Sequence, residues 1–432
     1  MKKSILSLLL CVLSAACFAQ KHKCYTDEAN AHYMAMDKKY QQTKKEYESA
    51  VQEWIAANRH TLKTNGGGLV ATIPVVFHVV YKNATQNIAD SNIFRQIEIL
   101  NECYRRTNAN FGQTRPIFDS IAADVQIEFC LAQLDPSGNP TQGITRKSAP
   151  SNASFDILFN MDKVKSSATN GQDPWPNDQY LNIWVCDMSL FGIPFVLGYA
   201  TFPGSNPLLD GVVLQYNFVG LQSNGTSSNL GKTAVHEVGH WLGMRHIWGD
   251  GQGSSTLCDS TDYVDDTPNA DTASQQTCLV KNSCSNESPY WTNAGVDPPD
   301  MIENYMDYSY DACMTMFTEG QKARILGFLT TTRSTLITSP AGCNPIGLTN
   351  TTKPEDAIAL FPNPATNNLN FKTNGRSDLI VSFTDALGRK LGSYPITENN
   401  SVDISDFRAG ILFYEITEHG KKIQAGKVVK MD

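Results

Sequence analysis

The sequence predicts an α+β unit over residues 69–343, preceded by a helical segment and followed by a separate all-β sandwich. Three patterns carry this. Strand-like apolar runs alternate with amphipathic helical periodicity between residues 73 and 242, which calls for a mixed sheet backed by helices. Residues 249–300 are rich in Cys, Asp and Gly with little apolar periodicity, so the second half of the unit is expected to be irregular. From residue 357 to 432, short alternating runs are separated by Asn-Gly, Leu-Gly-Arg and His-Gly turns, the pattern of an antiparallel sandwich.

Residues 1–19 read as an export signal: Lys2 and Lys3 precede an apolar run over 5–16, and Ala19-Gln20 offers a cleavage point. The run is too short to span a bilayer. Lipid attachment at Cys17 is the alternative, although Leu13 lies one place early for it. Residues 28–60 read as helix, with Tyr33, Met36, Tyr40, Tyr47, Val51 and Trp54 mostly at three-, four- and seven-residue steps. Thr64-Asn65-Gly66-Gly67-Gly68 then forms a flexible, cleavable joint that closes a segment spanning 20–68.

Five strand-like runs follow, at 73–81, 125–131, 180–186, 197–202 and 212–216, and they predict a twisted five-stranded mixed sheet. The first is almost continuously apolar, as in a strand buried on both faces, with His78 a core residue. Residues 90–107 form an amphipathic helix presenting Ile93, Ile97, Leu100 and Tyr104, and 229–242 form a second helix. Thr318-Glu319-Gly320-Gln321 resembles a capping box that opens a last helix with Ile325, Leu326, Phe328 and Leu329 apolar. Residues 344–356 are a polar linker, and the sandwich occupies 357–432.

The chain has 432 residues and a formal net charge of -8 without a Lys/Arg-rich tract, which argues against nucleic acid as a partner. After the signal, no stretch is apolar for long enough to cross a membrane, and a monomer is expected. Of eleven cysteines, Cys11 and Cys17 leave with the signal, so the exported chain keeps an odd number: disulfides plus at least one free thiol.

Chemistry concentrates in His236-Glu237-Val238-Gly239-His240-Trp241-Leu242-Gly243-Met244-Arg245-His246, the pattern HExxHxxGxxH. Histidines four apart share one helix face, so His236 and His240 can grip one ion. Gly243 tolerates the positive φ that ends the helix and returns His246 as third ligand. Three imidazoles with one open position are the arrangement of catalytic zinc, and Glu237 can take a proton from a metal-bound water. Helical histidines packed in a core would not need this register: with 30 Gly and 8 His, the added Gly and His match by chance about once in 800.

With Asn304-Tyr305-Met306-Asp307-Tyr308 added, residues 70–343 resemble the metzincin metalloproteases, and among them the pappalysins, especially the bacterial branch similar to ulilysin and mirolysin. The resemblance implies a zinc endopeptidase made as a latent zymogen and acting on proteins and peptides. Met306 corresponds to the Met-turn beneath the zinc, where a polarisable apolar floor does not compete as a ligand. Tyr308 matches a tyrosine that reaches toward the zinc and could hydrogen-bond an oxyanion; the alternative is a structural aromatic. Gly198, Tyr199 and Ala200 would lie on the cleft's upper rim, pairing an extended substrate. Asp311 would sit in the pocket that selects Arg, then Lys, at P1′, so cleavage before Arg59 or Lys63 would remove the segment 20–68.

The same resemblance implies disulfides Cys258–Cys284 and Cys278–Cys313, leaving three pairings open among Cys103, Cys130, Cys186 and Cys343. It also implies a calcium loop with Asp262, the Val264 carbonyl and Thr267 as ligands, against the alternative of an Asp-rich turn satisfying its own backbone. Cys24, just past the signal, could place a thiolate on the open zinc position, with a disulfide role as the alternative; Tyr25-Thr26 follows it where relatives have Gly-Thr.

The tail resembles a second family, the C-terminal sorting domain of type IX secretion in Bacteroidetes. The matching motifs are Leu360-Phe361-Pro362-Asn363-Pro364, Asp385-Ala386-Leu387-Gly388-Arg389, Gly410-Ile411-Leu412-Phe413-Tyr414 and Gly426-Lys427-Val428-Val429-Lys430. It implies the type IX machinery as a partner and release from, or attachment to, the cell surface; a carbohydrate- or protein-binding sandwich is the alternative. The rival for the whole chain is a non-enzymatic surface adhesin with a relict zinc site, which would have no need of an acid at Glu237.

Overall fold

A computed structural model describes residues 22–64, 71–190, 192–221, 229–249, 257–275, 277–341, 358–362, 365–373, 375–385, 389–397 and 401–431. The signal, the glycine joint past Thr64, the linker, Cys343 and the motif positions 363–364 and 386–388 lie outside the described residues. The chain divides into two compact units, 1–343 and 344–432.

The first unit begins with β1 (His22–Cys24), α1 (Thr26–Met36) and α2 (Lys38–Thr64). The single helix expected over 28–60 is broken at Asp37, whose backbone is extended (φ -132, ψ 102). Its carboxylate accepts the Lys39 amide at 2.8 Å, so an aspartate N-cap restarts the helix.

The sheet comprises β2 (Ala71–Tyr81), β3 (Ile127–Leu131), β4 (Ile144–Ser148), β5 (Leu181–Cys186), β6 (Val196–Ala200) and β7 (Val212–Gln215) with β1 added. Its order is β1-β6-β7-β5-β2-β3, and β4 also pairs with β2. Because β3 pairs with residues 71–75 of β2 and β4 with residues 77–81, the two share one edge row. The later chain therefore supplies five rows, as expected, and the N-terminal segment a sixth. All pairs are parallel except β6–β7. β4 escaped the sequence reading because Ile-Thr-Arg-Lys-Ser holds one apolar residue and no fully buried one. β2 is buried almost throughout, His78 included, which bonds Thr145 and Asn182.

Helix α3 (Asp90–Tyr104) covers the sheet with Ile93, Ile99, Leu100 and Tyr104 buried. Helix α4 (Lys232–Trp241) lies in the core beside it, buried at every position. The region after it is irregular as expected, closing with α5 (Glu319–Thr331), whose Thr318/Gln321 capping box is formed. Disulfides join Cys258 to Cys284 and Cys278 to Cys313. Cys130 is also disulfide-bonded, whereas Cys103 and Cys186 are buried free thiols. No described helix is long and apolar enough to cross a membrane.

In the second unit, β8 (Ala359–Phe361), β9 (Asn368–Lys372) and β12 (Ser401–Asp403) form a three-stranded sheet, order β12-β9-β8. β10 (Leu379–Asp385), β11 (Lys390–Ile396), β13 (Gly410–Glu418) and β14 (Lys421–Lys430) form a four-stranded one, order β11-β10-β13-β14. Leu369 and Phe371 from one sheet and Val381, Phe383, Leu412 and Ile416 from the other share one apolar core, the mark of a sandwich.

Candidate metal centre

Helix α4 lacks a side-chain cap of its own: Gly231 precedes it in a left-handed conformation (φ 76). Asp311 fills the gap, its Oδ2 accepting the amides of Leu230 (2.9 Å) and Lys232 (3.0 Å), where a negative charge also suits the helix dipole. Lys232 returns the contact by donating to the Asp311 carbonyl at 2.8 Å. At the other end Gly243 takes φ 89, and a Cβ there would fall 2.2 Å from the Phe328 ring. No other residue fits that turn, and the turn delivers His246.

The three imidazoles converge. Nε2 of His240 lies 3.1 Å from Nε2 of both His236 and His246, which are 3.3 Å apart. A tetrahedral ion with bonds of about 2.0–2.1 Å needs ligand atoms about 3.3–3.4 Å apart. Each Nδ1 meets an acceptor: the Tyr305 carbonyl for His236 (2.7 Å), the Met244 carbonyl for His240 (2.8 Å) and the Asp27 carboxylate for His246 (2.9 Å). A carbonyl only accepts, so Nδ1 carries the proton and Nε2 is left bare for a metal. Burial, reinforced by His246, pushes His240 down to about 3 and keeps it neutral. The donor set therefore fits zinc.

Cys24 completes it. Its buried Sγ and the three histidine nitrogens lie within 4.8 Å of one another. The thiol is free of any disulfide and donates to Glu237 Oε2 at 3.3 Å. The same oxygen accepts the Thr26 hydroxyl at 3.0 Å. Glu237 is fully buried and packs on Gly198, where a Cβ would lie 2.8 Å from its Cγ.

Tyr308 donates to the Cys24 carbonyl at 3.3 Å, and its ring stands edge-on to His246 with centroids 5.0 Å apart. Burial raises its phenol well above the ordinary value, so it stays a donor. Met306 is fully buried, and a Cβ on Gly239 would meet its sulfur at 2.6 Å, placing it directly under the ligand helix.

β1 runs parallel to β6, pairing Cys24 with Gly198. The Tyr25 amide donates to the Gly198 carbonyl (3.1 Å), and the Ala200 amide donates to the Thr26 hydroxyl (2.9 Å). Tyr199 instead turns its phenol inward, to the Met161 carbonyl at 2.5 Å. Only Gly198 and Ala200 of that trio thus meet the N-terminal segment through their outward main chain.

Asp262, Val264 and Thr267 come together away from the histidines. The Thr267 hydroxyl lies 2.9 Å from Asp262 Oδ2 and 2.8 Å from the Val264 carbonyl, and Asp262 Oδ1 accepts the Val264 amide at 3.0 Å. Sequence reasoning missed Thr26, Asp27 and Trp248, which stacks on His246 at 4.4 Å and 6°. The one available signal for the first two was a polar Thr-Asp pair one residue past Cys24, and for Trp248 its place two residues after His246.

Residues 165–330 match the family described as Pregnancy-associated plasma protein-A, peptidase family M43, and residues 359–431 match the secretion system C-terminal sorting domain. An extracellular metalloprotease of Arthroderma gypseum is 30% identical over 261 residues, 59% of this chain and 71% of the relative. Mature mirolysin of Tannerella forsythia, solved with a cleaved peptide, is 42% identical with a TM-score of 0.55, covering 63% of this chain and 97% of that one. A promirolysin variant from the same organism is 36% identical with a TM-score of 0.58, covering 73% and 97%.

Proposed function

The chain belongs to the pappalysin (M43) family of metzincin metalloproteases, and we propose that His236, His240 and His246 hold its zinc while Glu237 moves the proton. It is a secreted, zinc-dependent endopeptidase made as a zymogen, and its tail addresses it through type IX secretion to the outside or surface of a Bacteroidetes-type cell. One observation carries the residue assignment: three bare Nε2 atoms converge beside a buried carboxylate.

Zinc at this site would supply a Lewis acid and make a water acidic near neutral pH. Glu237 takes the proton of the attacking water and hands it to the leaving amine. The Tyr308 phenol, released from the Cys24 carbonyl, turns its proton to the oxyanion. The main chain of Gly198 and Ala200 binds the extended substrate, with Tyr199 bracing the strand from within.

Residues 20–68 are the prosegment of this reading, between a signal at 1–19 and a catalytic region at 69–343, with the linker at 344–356 and the sorting domain at 357–432. Cys24 would take the fourth position on the metal, while Thr26 engages Glu237 and β1 covers the β6 edge. Residues 22–26 thus block metal, base and substrate track together.

Arg, then Lys, at P1′ rests on the resemblance at Asp311. Two amides already use that carboxylate, but its oxygens accept further bonds, so a substrate guanidinium could share it. Calcium at Asp262, Val264 and Thr267 rests on the resemblance and on the meeting of their oxygens at a buried site, an arrangement that an Asp-rich turn satisfying its own backbone shares. A poor fit to nucleic acid is supported by the charge of -8 and the lack of a basic tract, and a monomer remains the expectation.

Casein cleavage by the processed chain tests the core assignment: it should vanish with a zinc chelator and with Glu237→Ala. Undiminished cleavage by that variant overturns it and leaves the adhesin reading standing.

A further inference from the structure

Of the three imidazoles, two are oriented by the catalytic region itself, through the carbonyls of Tyr305 and Met244. The third is not. The Nδ1 of His246 meets Asp27 Oδ2 at 2.9 Å, and Asp27 belongs to the prosegment, in the first turn of α1. His246 also lies past the Gly243 turn, off the helix that fixes its two companions. Within the catalytic region its ring is steadied by packing alone, the flat stack on Trp248 and the edge contact of Tyr308.

We propose that Asp27 is an outer-shell residue of the metal site, so that the prosegment retains the metal as well as plugging the cleft. The proposal rests on the zinc reading above. An acceptor on Nδ1 fixes the tautomer that leaves Nε2 bare, orients the ring and raises its basicity, and a carboxylate does this more strongly than a carbonyl. Asp27 therefore acts on the ion through His246 and is a positioning residue. Cys24 and Asp27, three positions apart, hold the site from opposite sides: one at the open corner, one behind a ligand. The latent chain then grips zinc more tightly than the processed enzyme, which has lost both groups.

The test uses the full-length chain, kept from processing itself by Glu237→Gln. Zinc affinity is measured by competition with a chromophoric chelator for this parent and for the parent carrying Asp27→Asn or Asp27→Ala. The alanine variant is expected to bind zinc roughly ten- to a hundredfold more weakly. The asparagine variant, whose amide oxygen still accepts from Nδ1, should lose less. Cobalt-loaded samples report separately on Cys24, through the sulfur-to-cobalt charge-transfer band. Weakened affinity with that band retained supports the proposal. Unchanged affinity overturns it, and so does weakened affinity with the band lost, which would make Asp27 only a seat for Cys24. A parent chain that binds no zinc removes the reading beneath the proposal, and the proposal with it.

Discussion

Every residue of α4 is buried, whereas along α2, from Lys38 to Asn58, only Tyr40 and Val51 are. Helix α4 is fixed by burial along its whole length, with Asp311 and Lys232 tying down its start. The prosegment helix instead adds a few polar anchors to the apolar contacts of Tyr40, Val51 and Trp54. Chief among them is Glu48, whose two oxygens grip Arg324 at 2.6 and 2.7 Å, while the Arg324 Nε holds the Gly243 carbonyl. A permanent part and a removable part therefore differ in how much of their hold is burial. Burial cannot be undone piecemeal, but a short list of hydrogen bonds can.

The contrast breaks most visibly at the catalytic acid. Glu237→Ala should lower casein turnover by on the order of 10²- to 10⁴-fold while zinc content, measured by metal analysis, stays at parity with wild type. Loss of zinc in that variant would mean that the acid serves the packing instead of the reaction.

The next largest effect lies in the irregular region. Burial pushes the Asp262 carboxyl up to about 7, so the fold favours its protonated form. That contribution to stability is complete below the unfolded value of about 4 and is lost as pH rises toward 7. Without calcium, the melting temperature of Asp262→Asn should climb above that of wild type across this window. A constant offset across the window counts against the raised carboxyl; added calcium should close the difference, and a difference that calcium leaves unchanged counts against the cation loop.

On the removable side, Glu48→Ala deprives a buried guanidinium of its partner and should weaken prosegment docking by about 2 kcal/mol. The readout is the rate at which the full-length chain processes itself, which rises. The smallest change is expected beneath α4: Met306→Leu conserves volume and should cost less than about 1.5 kcal/mol in thermal unfolding. A larger loss would mean that the sulfur does more than fill space under Gly239.

The same division explains what could be read from the chain alone. His236, Glu237, His240, Gly243 and His246 were legible because a helix and its terminating turn fix their spacing, and the Thr318 capping box because it too is local. Asp27 and Thr26 act across more than two hundred residues of chain, where no period links them to their partners. The break at Asp37 was masked by apolar steps that continue on both sides of it. β4 was missed because an edge strand facing solvent needs few apolar residues. The buried thiols of Cys103 and Cys186 lie at the end of a helix and of a strand, and the cysteine count alone could not separate them from bonded cysteines.

β1 covers its neighbour for a mere three residues. Once it is gone, the outer margin of the sheet becomes a bare rail of main-chain donors and acceptors that any unravelled stretch of polypeptide can clip onto, sibling molecules included. Concentrated stocks of the ripe enzyme should therefore whittle themselves down, with a lifetime set by crowding more than by temperature.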